Sequence, residues 1–173
     1  VMFLKKLYDS MKWFVKMDGS GAPWDIKLKN RWEEQLPGVT YLGLRGEFVW
    51  NGNIQHAEGA GNIAFGYWGR AMGYGPETIR YGAGWAQIDG KLTLESLFDR
   101  RLSEGPYYGD RADDFEWVTL GMNWYDTRYP NDEYVVNINL AKILWGKINH
   151  ITELMENYYT NKVTIRRLLD FEN

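Results

Sequence analysis

Apolar residues recur at helical intervals along most of the chain. Phe3, Leu7, Met11 and Phe14 stand three or four positions apart, with Leu4, Tyr8 and Val15 widening the stripe, so an amphipathic helix is predicted there. It stops at Met17-Asp18-Gly19-Ser20-Gly21, a turn-rich stretch. Toward the other end Leu140, Ile143, Leu144, Ile148, Ile151, Leu154 and Met155 mark a long helix, and Val163, Ile165, Leu168 and Leu169 close the chain. In between, Glu47-Phe48-Val49-Trp50 and Asn53-Ile54-Gln55-His56 flank Asn51-Gly52, whose residues tolerate positive φ and suit a type I′ turn. Pro76 opens a further helix from its favoured first turn. Asp110 stands as an N-cap before a helical run carrying Phe115, Val118, Met122 and Tyr125. These elements predict an α+β class: a mainly helical single domain over residues 1–173, with one β-hairpin at about residues 46–56 and a helical C-terminal extension at about 139–173.

Residues 58–74, EGAGNIAFGYWGRAMGY, break the pattern by density of glycine. Glycine costs about 1 kcal/mol relative to alanine inside a helix, so this many need a reason. Read as a helix from Asn62, the segment puts Gly66, Gly69 and Gly73 on one face. A face without side chains admits another backbone or a ligand, which means either tight helix packing or the floor of a cleft. YGAGWA repeats the device, with Gly82 and Ala86 four apart on a second helix. Two such faces predict a close helix pair flanked by Trp68 and Trp85.

Composition narrows the chemistry. The 173 residues suit one domain with a real core, and the net charge of −3 names no partner. Without cysteine there is no disulfide framework, no thiol nucleophile and no cysteine-ligated zinc. No run is long and apolar enough to span a membrane, and Lys5, Lys6 and Asp9 interrupt any signal-peptide core, so no stable membrane insertion is expected. A start at Val1 suggests a piece of a longer chain. Nine tryptophans and twelve tyrosines exceed what a core this size absorbs, so some are expected to line a groove.

Charge is uneven. Up to Arg31 seven bases oppose three acids, about +4, which attracts phosphate or forms a solvated face. From residue 89 to 133 eleven acids oppose five bases, about −6, which does not help hold nucleic acid. Asp113 and Asp114 fall in a first helical turn, where the dipole favours acids. Asp110 and Asp114 also project to one side, as a cation site or an acid–base pair requires. His56 ends the second strand beside the glycine-rich segment, where a general acid or base or a plain exposed histidine fits equally.

Several pieces in order, APWDIK, the hairpin, GNIAFGYWG with AMG, GAGWAQ, and YYGDRADD before a helix ending in Tyr125, resemble the polymorphic toxin type 44 family over about residues 21–129. The resemblance implies a C-terminal toxin module of a larger secreted bacterial protein, delivered into rival cells and neutralised by a cognate immunity protein. It implies a ribonuclease. The matching polar positions are Asp25 and Lys27, Asn62, Tyr67, Asp110 and Asp114. The chain departs from the family pattern at Gly59, where an acid is usual although Glu58 adjoins, and at Ala64, where Asn or His is usual.

Two mechanisms follow from the resemblance. Either His56 or Glu58 activates a ribose 2′-hydroxyl while Lys27 steadies the phosphate and Asn62 and Tyr67 position the chain. Or Asp110 and Asp114 with Asp25 hold a divalent metal. No cofactor is assigned, and a divalent metal stays open. Acid pairs beside aromatic rings also suit a hydrolase of peptidoglycan glycan. A non-catalytic binding module is the third reading.

Overall fold

The structure, a computed structural model, describes residues 26, 28–35, 37–38, 40–41, 43, 46–50, 52–88 and 93–170. The N-terminal amphipathic stripe, Asp25 and Lys27 lie outside the described residues. In chain order the elements are α1 (Lys29–Gln35), β1 (Glu47–Trp50), β2 (Asn53–His56), α2 (Ala57–Ala71), α3 (Pro76–Ile88), α4 (Leu94–Leu97), a 3₁₀ turn (Arg100–Leu102), α5 (Ala112–Arg128) and α6 (Leu140–Asp170).

The expected α+β class is overturned. Helices make up most of the described chain. Among the described residues β1 and β2 pair only with each other, Glu47 opposite His56 and Trp50 opposite Asn53, and add no sheet layer. Ile54, on the second strand, is exposed. Two strands of four residues have little face to bury, whereas the helices around them carry the apolar area. The molecule is therefore organised around helices and not about a hairpin.

Its centre is the seam between α2 and α5. Asn62 meets Asp114, Gly66 meets Val118, and Arg70 meets Asp126, so partners advance together and the two helices run parallel. The glycines work reciprocally. A Cβ on Gly66 would overlap the Val118 carbonyl oxygen, and one on Gly121 would overlap the Ile63 carbonyl oxygen. Gly59 lies under the Trp117 indole, where a Cβ would come within 2.5 Å of the ring. The small faces thus serve packing. Their partner differs from the expected one: α2 abuts α5, and the tight glycine of α3 is Gly84, against the Tyr108 carbonyl. Gly73 lies past the end of α2 with φ +84°, where Tyr74 N–H donates to the Gly69 carbonyl and Gly73 N–H to the Arg70 carbonyl. That is a Schellman stop, for which glycine carries no Cβ penalty. α2 also begins at Ala57, five residues before the expected start.

The main core gathers Phe65 from α2, Ile79, Tyr81 and Trp85 from α3, Leu102 from the 3₁₀ turn, Val118 and Met122 from α5, and Ala141 from α6. Two buried polar side chains here are paired: the Tyr81 hydroxyl donates to the Leu97 carbonyl at 2.7 Å and Trp85 Nε1 donates to Ser96 Oγ at 2.9 Å. Trp68, expected at a helix contact, is exposed instead. A smaller cluster of Ile26, Trp32 and Ala60 holds α1 against the start of α2. No helix among the described residues is long and apolar enough to cross a membrane.

Candidate functional site

Because α2 and α5 are parallel, their first turns end up side by side. Positive helix ends and first-turn acids from both therefore share one surface. Asn62 Nδ2 donates to Asp114 Oδ1 at 2.6 Å. Arg111, the N-cap residue of α5, spreads its guanidinium over three carboxylates. Nη2 and Nε bind Asp113 at 2.5 and 3.1 Å, Nη1 lies 3.5 Å from Glu58, and Nε lies 3.8 Å from Asp114. Asp114 is the buried member, Glu58 is about a third exposed, and Arg111 is half exposed.

Electrostatics follow this geometry. Burial pushes the Asp113 carboxyl up. The Arg111 hydrogen bond, the Asp114 N–H and the guanidinium charge together outweigh it and hold the group below its ordinary value. Arg111 is held protonated more firmly than usual by the Asp113 hydrogen bond and the charges of Asp114, Asp113 and Glu58.

The expected residues divide. Glu58, Asn62 and Asp114 come together through Arg111. His56 caps the start of α2 without a side-chain cap bond, exposed and two positions before Glu58. Asp110 does not cap α5. It stands before the helix, where its Oδ1 accepts from Arg111 N–H at 2.9 Å. The chain reaches it through a left-handed pair, Tyr108 at φ +57° and Gly109 at φ +82°. Asp110 is thus a loop residue, because the first turn is satisfied locally by Asp113 accepting from Asp114 N–H. Among the described residues no group of three or more His, Asp or Glu is arranged to hold a metal ion.

Tyr67 sits further along the seam with a second polar group. Its ring lies 4.6 Å from Trp124 and 5.3 Å from Tyr125, and burial and the neighbouring Tyr129 hydroxyl raise its pKa. Beyond it Arg70, only 2% exposed, donates to Asp126 at 2.8 Å and to the Tyr74 carbonyl at 3.0 Å. Its guanidinium lies 4.4 Å from the centre of the Tyr134 ring. A cleft of about 410 Å³ opens there between Arg70, Asp126, Tyr129, Asp132 and Tyr134.

Sequence reasoning took Asp113 only as a first-turn acid and missed Arg111 and Arg70. The spacing of Arg111 and Asp114 on a helix start was the available signal for the first. Nothing local marks Arg70, whose carboxylate partner Asp126 comes from a distant segment.

A family model described as bacterial toxin 44 matches residues 12–127, two thirds of the chain. The chain belongs to the bacterial toxin 44 family. No curated protein and no solved structure matches it. The matched stretch of this toxin 44 chain contains α2, nearly all of α5 and every residue of the Arg111 cluster, whereas α6 lies outside it.

Proposed function

We propose that this bacterial toxin domain is a metal-independent ribonuclease acting in rival cells. The observation that supports the reading is the Arg111 guanidinium lying between Glu58 and Asp114 at the paired helix starts. A guanidinium cation already stands between the acids where a metal would sit, so the acid–base mechanism suits the site better than the metal one.

In this mechanism the Glu58 carboxylate accepts the ribose 2′-hydroxyl proton. The 2′-oxygen attacks phosphorus, and the bond to the 5′-oxygen breaks. A protonated His56 supplies the proton to that leaving oxygen, giving a 2′,3′-cyclic phosphate and a 5′-hydroxyl. Arg111 turns from Glu58 toward the phosphoryl oxygens as charge grows on them. Asp114, fixed by Asn62, keeps the guanidinium aimed. The family resemblance would add Lys27 as a second cation and Asp25 as a further carboxylate, Tyr67 stacks on a base, and Asp110 stands just before α5. The whole chain, residues 1–173, acts as one toxin domain, delivered as part of a larger protein and blocked by a cognate immunity protein.

The test is incubation of purified protein with total RNA, with and without EDTA. RNA cut equally in both arms, with cutting lost in Glu58→Gln and Arg111→Ala at unchanged fold, supports the reading; intact RNA refutes it. A second reading rests on the carboxylate surplus, since Glu58, Asp113 and Asp114 face a single guanidinium. Such acids suit a peptidoglycan glycan better than a polyanion. The same preparation given peptidoglycan, and a comparison of toxicity with and without an export signal, separates the two. Killing that survives both substitutions supports a non-catalytic binding module instead.

A further inference from the structure

α6 leaves the body after its first turns. Asn139 ties its start to the Leu102 carbonyl at 2.9 Å, Ala141 is buried, and Trp145 Nε1 donates to the Phe98 carbonyl at 3.2 Å. From residue 146 to 162 every side chain is exposed. Those positions are not uniformly polar. Continuing from the half-buried Leu144, Ile148, Ile151, Met155 and Tyr158 follow at alternating steps of four and three, and the sequence carries the same spacing on through Lys162 to Ile165 and Leu169. This is the 3.5-residue period of a helix–helix seam. Leu154 and Tyr159 widen it, and the six apolar side chains from Ile148 to Tyr159 are each 37–61% exposed.

We infer that this stripe is the dimer interface of the protein, occupied by α6 of a second copy running antiparallel. A seam that keeps a 3.5 period stays aligned with another straight helix and not with an irregular groove. The six side chains together present on the order of 700 Å², close to the ~800 Å² per partner of a stable interface. Between residues 146 and 162 Lys147 and Lys162 balance Glu153 and Glu156, so two copies approach without net repulsion. Lys162 fixes the direction. In a parallel pair two Lys162 ammonium groups would face each other in the seam, whereas an antiparallel pair centred near residue 153 separates them and sends the two bodies to opposite ends. This surface stands apart from the Arg111 cluster and does not depend on the ribonuclease reading.

The experiment is sedimentation equilibrium of the full chain across a concentration series. A dimer is expected, with Ile151→Glu/Met155→Glu weakening it at least tenfold while far-UV helix content and thermal unfolding of the body stay unchanged. The absence of cysteine allows a directional check. Leu154→Cys, beside the proposed two-fold axis, forms an intermolecular disulfide under mild oxidation, and Tyr158→Cys does not. A wild-type monomer throughout the series, a double variant that still dimerises, or cross-linking at Tyr158→Cys in place of Leu154→Cys overturns the proposal.

Discussion

Asn62 donates its side-chain amide to the Asp114 carboxylate across 52 positions of sequence. The bond joins the opening turns of two parallel helices and fixes a buried acid under the half-exposed Arg111. Asn62→Leu removes the donor while leaving Asp114 charged and enclosed. A loss of about 1–3 kcal/mol is expected, because a buried acceptor loses one of its partners. Asn62→Asp, which sets two carboxylates against each other, is expected to cost more. Urea unfolding of the three proteins checks the order.

Gly66 and Gly121 are expected to be, with Gly84, among the least replaceable small residues. In each case a methyl group meets a carbonyl oxygen of the opposite backbone, which cannot turn aside as a side chain can. Gly66→Ala and Gly121→Ala should each cost roughly 1–3 kcal/mol or more through forced separation of the helices. Gly146→Ala, where nothing lies near, should instead be neutral or stabilising. Thermal unfolding measures all three, and an unaffected Gly66→Ala would show that the seam is looser than described.

Arg70 and Asp126 differ in exposure, 1% against 38% for the side chains, so breaking their pair is not symmetric. Asp126→Ala strands a buried guanidinium and should cost about 3 kcal/mol, near the usual loss when one partner of a buried pair goes. Arg70→Met leaves an acid that water can reach and replaces the guanidinium with an apolar chain, so its cost should be smaller. Chemical denaturation of both variants, with the smaller loss in Asp126→Ala, would contradict this.

Tyr125 gives an alkaline signature. Its hydroxyl donates to Asp132 Oδ2, and that bond, with burial, pushes its pKa up to about 12. An unfolded tyrosine ionises near 10. The folded state therefore holds the proton more tightly, so this contribution to stability is complete below pH 10 and is lost as pH rises from 10 to 12. Tyr125→Phe should flatten that part of the stability–pH curve, measured by denaturant midpoints at each pH. An unchanged slope would remove Tyr125 from the cause.

Much was written locally in the chain. Helical spacing announces α5 and the long α6, Pro76 opens α3, and the density of glycine announces that backbones meet. The order of short motifs was enough to indicate the toxin 44 family. Local pattern could not name which helix receives the glycine face, because that depends on volumes contributed by Val118, Ile63 and Trp117 from other segments. It also overvalued the ribbon of β1 and β2, since a turn signal is local whereas the burial that makes a sheet a layer is not. At the site, the resemblance to the toxin 44 family gave Glu58, Asn62 and Asp114 as candidates. Only the parallel course of α2 and α5 brought them under Arg111 and set Tyr67 apart with Arg70, because the energy of a buried charge is decided by neighbours remote in sequence.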